Sequence, residues 1–298
     1  MDGMLKITVP ASSANLGPGF DSIGLAVNRH LVLRVTKAEE WLFTSKSKEL
    51  ANVPSGKDNL IYAVAAHVAE LHKQTLPPRQ VVMESDIPLA RGLGSSAAAI
   101  VAGIELANQI LHLQLSADEK VRIASLWEGH PDNVAPCVYG GLVVGYHSDE
   151  RTDVVYCGVP EVDMVMLIPA TELKTKDARN VLPETLEYKD AIRGSSIANV
   201  LVATVIQGKW DVAGEMMVRD LFHQPYRAAL VPGLKEVMAS IQADGGYGAA
   251  LSGAGPSILC FAPIGTGKQL KEKLQSRYPD FEIEEIAPDA NGIVVERL

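Results

Sequence analysis

The sequence predicts an α+β fold in two parts, and three observations carry that expectation. Short β-branched and aliphatic runs mix with helix-patterned runs but do not alternate strictly as strand, helix, strand. The chain has 298 residues, near the length at which one hydrophobic core divides into two. A charged stretch at 148–153 and a Gly–Pro stretch at 158–160 interrupt the pattern. The expected domains are therefore residues 1–155 and 156–298.

The elements follow in order. Residues 6–10 and 31–35 are β-branched and aliphatic and read as strands. Residues 59–72 carry Leu60, Ala63, Val64, Val68 and Leu71 at helical spacing, so a largely buried helix is expected. A strand at 80–87 leads to a helix at 96–111 that is apolar almost all round. Ser116 and Glu119 form a capping box opening a helix to about Glu128. Strands follow at 142–146 and 164–168. The second half is richer in helices, expected at 195–207, 212–221, 234–242 and 268–275, with strands near 247–251, 257–261 and 281–286.

Composition excludes several functions. Hydrophobic residues make up 47% of the chain, which suits a packed globular protein rather than a disordered one. No apolar run approaches the ~18–20 residues that span a bilayer. The first residues, Met1 to Lys6, lead straight into a strand with no signal-peptide core. Cys137, Cys157 and Cys260 form neither a metal spacing nor an even framework, which suits a reducing cytoplasm. A net charge of −9 argues against nucleic acid as partner. It also means that any polyanionic ligand needs local groups to overcome an overall repulsion.

Three glycine-rich loops carry the chemistry. In Pro88-Leu-Ala-Arg-Gly-Leu-Gly-Ser-Ser-Ala-Ala98 a strand leads in and an apolar helix leads out. Gly92 and Gly94 allow a sharp turn and a close backbone approach. The amides that follow are unpaired at a helix N-terminus, which makes an anion cradle with phosphate as its commonest occupant. The same residues also suit a tight loop with a capping serine. A dinucleotide fingerprint fails because no second strand ending in an acid follows the helix. Gly265-Thr-Gly-Lys268 lacks the first Gly and the Ser/Thr of a Walker A loop. Pro10-Ala-Ser-Ser-Ala-Asn-Leu-Gly-Pro-Gly-Phe-Asp21 places Asn15 and Asp21 in a stiff turn, suited to gripping a hydroxyl or an amine or to simple loop capping. Leu251-Ser-Gly-Ala-Gly-Pro-Ser257 reads as a tight connection between strands. Between them, Glu128-Gly-His-Pro-Asp-Asn133 gathers four polar side chains at a helix end, where a carboxylate can bind Mg²⁺ or orient a hydroxyl.

The order of these motifs resembles that of the GHMP kinases, a family of small-molecule kinases, and the match spans the chain. The wording of residues 15–21, 130–136, 195–199 and 220–227 is similar to the members that act on L-homoserine. The resemblance implies an N-terminal domain like the second domain of ribosomal protein S5 and a ferredoxin-like C-terminal domain, with ATP between them. It implies that ATP and L-homoserine give ADP and O-phospho-L-homoserine, a step of threonine biosynthesis. On the matching positions, Pro88, Leu89, Ala90, Arg91, Gly92, Leu93, Gly94, Ser95, Ser96, Ala97 and Ala98 form the nucleotide loop. Asn59 marks the adenine side. Ser96 and Glu128 hold Mg²⁺. Asn15, Asp21, His130 and Asp132 hold the amino and hydroxyl ends of the substrate, and Arg193 and Arg227 its carboxylate. Asp132, Asn133 and Arg193 form the implied catalytic group, with Asp132 orienting the hydroxyl and Asn133 stabilising the transferring charge. A homodimer is common among such enzymes. A relative acting on mevalonate or a sugar and a non-catalytic nucleotide-binding regulator are the competing readings.

Overall fold

The computed structural model describes residues 4–298; the expectation for the first residues falls partly on Met1 to Gly3, outside that range. Strands β1 (Leu5–Ala14), β2 (Ile23–Lys37), β3 (Leu42–Ser45), β4 (Arg79–Ser85), β5 (Leu142–His147), β6 (Thr152–Tyr156) and β11 (Val294–Arg297) form one sheet. Strands β7 (Asp163–Pro169), β8 (Gly248–Leu251), β9 (Ile258–Ala262) and β10 (Phe281–Ile286) form the other. The helices are α1 (Leu60–Leu71), α2 (Ser95–Leu111), α3 (Ala117–Glu128), α4 (Val134–Tyr139), α5 (Thr175–Asn180), α6 (Tyr188–Ile206), α7 (Trp210–Met217), α8 (Gln224–Arg227), α9 (Leu234–Ser240) and α10 (Gly267–Arg277). The mixture is α+β, as its unalternated order predicts. Among the described residues no helix is long and apolar enough to cross a membrane.

The second sheet is antiparallel in the order β10-β7-β9-β8. Numbered within that sheet the order is 4-1-3-2, the split βαβ arrangement of ferredoxin-like domains. Its inner strand β7 is apolar from Met164 onward because both faces are covered there. Met164, Met166 and Ile168 face the core shared with the first sheet, while Val165 and Leu167 face a second core under α9 and α10. The two-residue period of a strand divides them.

Two strand pairings cross the expected domain boundary. The 155/156 boundary cuts β6, which pairs along its length with β5. The chain also returns at its end: β11 pairs antiparallel with β1, from Leu5 opposite Arg297 to Thr8 opposite Val294. Four residues at a terminus carry too little pattern to show this long-range pairing. The two halves are further joined by one core, in which Leu201, Trp210 and Met217 pack with β1 and α2 residues.

Local signals hold where capping is explicit. Asn59 caps α1 by accepting from Ile61 N (2.9 Å), and Ser116 and Glu119 form the expected box. Two elements outrun their patterns. The sequence pattern predicts the first strand only to Pro10, which lacks an N–H. A register shift between Pro10 and Ala11 instead lets the pairing resume to Ala14 opposite Gly24. Helix α6 begins at Tyr188, seven residues before the expected start; Tyr188 and Ile192 in its first turns are exposed, so no buried stripe marks those turns in the sequence.

The C-terminal segment is held by an ion pair. His30 Nε2 lies 2.8 Å from Asp289 Oδ2, and Asp289 also accepts from Asn291 N at 2.8 Å. The Asp289 hydrogen bond raises the His30 pKa above 6.5 against the effect of burial. Burial would raise the Asp289 pKa, but the His30 and backbone hydrogen bonds hold it below 3.8. By linkage, the His30 contribution is complete below its unfolded pKa and is lost as pH rises through the raised folded one. The Asp289 contribution is complete above its unfolded pKa and is lost as pH falls through the lowered folded one. His30→Gln is therefore expected to lower the denaturant midpoint at about pH 5–6 and to converge on the parent as pH rises past the raised folded pKa of His30. An equal loss at all pH values would contradict the pairing.

Candidate active site

The glycine loop between β4 and α2 is held on both sides. Gly92 (φ +76°) and Gly94 (φ +67°) take left-handed conformations. A Cβ on Gly92 would lie 2.2 Å from Ser252 O, and one on Gly94 2.2 Å from Ser12 Oγ. Ser252 Oγ donates to Gly92 O (2.6 Å) and Ser12 N to Leu93 O (3.2 Å). The loop thus sits between the β1 extension and the Leu251–Ser257 connection. It leads into the 17-residue helix α2, whose first amides have no intrahelical acceptor. Gly92, Gly94, Ser95, Ser96 and Ala97 line a polar cavity at that positive helix end.

Four of the expected loop residues line neither this cavity nor the apolar one beside it. Arg91 donates to Pro169 O (3.0 Å), Leu89 O (3.2 Å) and Ala170 O (2.7 Å), so its guanidinium ties the loop to the end of β7. Leu93 and Ala98 are core residues, and Pro88 precedes the turn. The apolar cavity, of 230 Å³, is lined by Leu31, Met83, Ile87, Leu89, Leu60 and Ala99 among others, and shares Ser95 and Ser96 with the polar one. Asn59 borders it, but its amide is engaged as the α1 cap and with Pro54 O (2.8 Å).

Across the polar cavity stands a charged group. The turn after β1 puts Asn15 and Asp21 at positive φ. Asn15 accepts from Asp21 N (3.0 Å) and donates to Gly253 O (3.0 Å), so its amide shapes the turn. The Asp21 carboxylate takes Arg179 Nη2 at 2.7 Å and Nη1 at 3.2 Å, a bidentate pair. Both guanidinium groups lie near the Phe20 ring, with Arg179 Cζ 5.6 Å and Arg227 Cζ 5.3 Å from its centre. Arg227 is buried and donates to Ala178 O (3.0 Å) and Gly253 O (3.2 Å). Burial lowers its pKa to about 10, where it still carries its charge at neutral pH.

The end of α3 completes the cavity. Gly129 (φ +91°) stops the helix after Glu128. His130 Nδ1 bonds to Asp132 Oδ1, and ligand atoms of Asp21, His130 and Asp132 lie within 4.8 Å of one another. Asn133 Oδ1 accepts from Ser12 Oγ (3.1 Å). Burial raises the Glu128 pKa, with Asp132 adding to the effect and His130 and Arg179 opposing it. Burial would lower the His130 pKa, but the hydrogen bond and charge of Asp132, with Asp21 and Glu128, raise it.

Asn15, Asp21, Ala90, Glu128, His130, Asp132, Asn133 and Arg227 therefore line one cavity with the glycine loop. Arg193 does not. It lies on the exposed opening of α6, and among the described residues its guanidinium pairs with Asp190, at 3.8 Å. Arg179, on the short helix α5, lines the cavity and pairs with Asp21 instead. No local pattern separates the two arginines, because only the fold brings residue 179 against residue 21. Arg179→Ala is expected to raise the KM for the acceptor substrate at least tenfold, and Arg193→Ala to leave it within about twofold. The reverse order in steady-state kinetics would reject the assignment.

A catalytic domain whose glycine loop caps a buried helix, packed against a ferredoxin-like domain, defines a class. The model of the GHMP kinases N terminal domain matches residues 59–141, and that of the GHMP kinases C terminal domain matches residues 201–280. The chain belongs to the GHMP kinase family. Among its relatives, the homoserine kinase of Halalkalibacterium halodurans is 60% identical over 98% of this chain and 95% of its own. That of Shouchella clausii is 52% identical over 97% of each. The crystal structure of homoserine kinase from Cytophaga hutchinsonii matches 99% of this chain and 98% of its own at 28% identity, with a TM-score of 0.86. Methanococcus jannaschii mevalonate kinase, at 16% identity and a TM-score of 0.72 over 95% of this chain and 98% of its own, shares the fold.

Proposed function

We propose that this chain transfers the γ-phosphoryl group of ATP to the side-chain hydroxyl of L-homoserine, giving ADP and O-phospho-L-homoserine. One observation carries the reading: Asp21, Arg179 and Arg227 line the same cavity as the amides at the head of α2. An amino-acid zwitterion matches one wall, its carboxylate on the guanidinium groups and its ammonium on Asp21. ATP phosphates match the other, with the adenine ring in the apolar cavity that shares Ser95 and Ser96. The hydroxyl then faces the γ-phosphoryl group, and holding that geometry is most of the catalysis.

Mg²⁺ fits the donor set. The Ser96 hydroxyl and the Glu128 carboxylate are hard oxygen donors on one cavity, and a cation offsets the burial that disfavours the Glu128 charge. When bound, the ion neutralises charge on the phosphate oxygens. The net charge of −9 is thus no obstacle, because the phosphates meet amides and a cation rather than the formal average.

Asp132 orients the hydroxyl-binding His130, to which its carboxylate is already bonded. In single-turnover experiments Asp132→Asn is expected to slow transfer by less than about 10²-fold and to weaken homoserine binding. A loss of about 10²–10⁴-fold with binding unchanged would instead mark Asp132 as a general base. The function itself is tested by ADP release with Mg-ATP and homoserine, mevalonate or galactose in parallel. Turnover with homoserine supports it. Turnover only with another alcohol, or ATP binding without any turnover, overturns it.

A further inference from the structure

The structure points to His223 as a positioning residue that orients Arg227 for the carboxylate of the amino-acid substrate. This rests on the proposed role of Arg227. His223 is fully buried, and its imidazole is held on both nitrogens. Nε2 lies 2.9 Å from Gly17 O, and Nδ1 lies 3.1 Å from Arg227 Nη1. Chemistry settles both directions. A carbonyl oxygen cannot donate, so Nε2 carries the proton and donates to Gly17 O. A guanidinium cannot accept, so Nδ1 is bare and accepts from Arg227. The ring is therefore the neutral Nε2–H tautomer. Burial lowers its pKa, aided by the Arg227 charge and opposed by Asp220, Gly17 O and Asp21, which agrees with a neutral ring.

Its surroundings make the residue a connection rather than filler. Its face stacks on Phe20, 5.2 Å between centroids at 19°, and Phe20 is the ring against which both guanidinium groups lie. Gly17 belongs to the turn that presents Asp21. The Asp220 carboxylate accepts from Phe222 N (2.7 Å), His223 N (3.2 Å) and Gln224 N (2.7 Å), fixing the backbone from which both His223 and Arg227 project. Arg227 spends Nε and Nη1 on Ala178, Gly253 and His223. These bonds leave Nη2 for a ligand, so the angle of the fork depends on the acceptor at Nδ1. His223 touches no substrate atom in this arrangement and acts through Arg227.

The two nitrogens can be tested apart. In His223→Asn the amide oxygen takes the place of Nδ1, keeping the acceptor for Arg227 and losing the Gly17 bond. In His223→Gln the amide nitrogen takes the place of Nε2, keeping the Gly17 bond and losing that acceptor. Homoserine and ATP kinetics are measured for both, with thermal melting as the measure of folding and Arg227→Lys as the reference. His223→Gln is expected to raise the homoserine KM about tenfold with the ATP KM within about twofold, and His223→Asn to restore most of the homoserine KM. Equal homoserine KM values in the two variants, or parallel rises for both substrates, would overturn the positioning role. If Arg227→Lys itself leaves the homoserine KM unchanged, the carboxylate reading fails instead. Should His223→Gln not fold, a His223→Asn homoserine KM raised tenfold or more in a normally melting protein would also overturn it.

Discussion

Asp21→Asn is expected to raise the homoserine KM by about two to three orders of magnitude while the ATP KM stays within about twofold. The substitution keeps shape, and asparagine tolerates the φ of +55° at this position. What it removes is charge. In the free protein the Asp21–Arg179 pair is worth little, because more than a third of each side chain is exposed and water screens it. The melting temperature should therefore barely move. In the complex the substrate displaces that water, and an ammonium facing a neutral amide loses a charge-assisted contact. About 3–4 kcal/mol is then lost, which corresponds to the stated change in KM. The control is 4-hydroxybutyrate, which lacks the ammonium; with it the parent and the variant should converge. A matching rise in the ATP KM, or a large drop in melting temperature, would show that Asp21 serves the fold.

Gly92→Ala carries the other large effect, an expected fall of about 10³-fold or more in kcat/KM for ATP, together with a lower melting temperature. A left-handed backbone costs a non-glycine residue about 1–2 kcal/mol by itself. Here the new methyl would also meet Ser252 O at 2.2 Å and Gly255 O at 2.9 Å. Both are backbone atoms of a connection that Ser252 Oγ ties to Gly92 O and Ser13 Oγ, so neither can step aside cheaply. The loop must move, and with it the amides proposed to hold the phosphates. Gly208→Ala separates strain from collision. Gly208 has φ +70° but nothing within 4 Å of its Cβ position. It should cost about 1 kcal/mol of stability and leave kcat/KM for ATP near the parent value. If the two variants behave alike, the close packing of the loop is irrelevant to nucleotide binding.

Much of the site was legible because its parts are local. The glycine loop declares itself by small residues between a strand and an apolar helix, and the Asn59 and Ser116 caps declare themselves by side chains that bond a few residues away. Glu128, His130, Asp132 and Asn133 fall together because they adjoin one helix end. The failures are non-local. Arg193 and Arg179 are both arginines on or beside helices, and only the packing of α5 against the turn after β1 selects the second. Arg91 sits within the right motif, yet three carbonyls at the end of β7 and in the loop itself claim its guanidinium.

By itself the sequence determined the α+β class, the caps and the glycine loop, because periodicity and short-range hydrogen bonding are written in consecutive residues, and the order of its motifs carried the resemblance to a family. Tertiary structure alone decided that β11 closes the first sheet against β1 and that one core runs beneath both sheets. It also placed Asp21, Arg179, His223 and Arg227 around one aromatic ring. Those contacts join residues 150 or more positions apart, or turn on which of two similar side chains a neighbour can reach. The physical reason is that burial and charge pairing depend on distance in space, which no local pattern encodes.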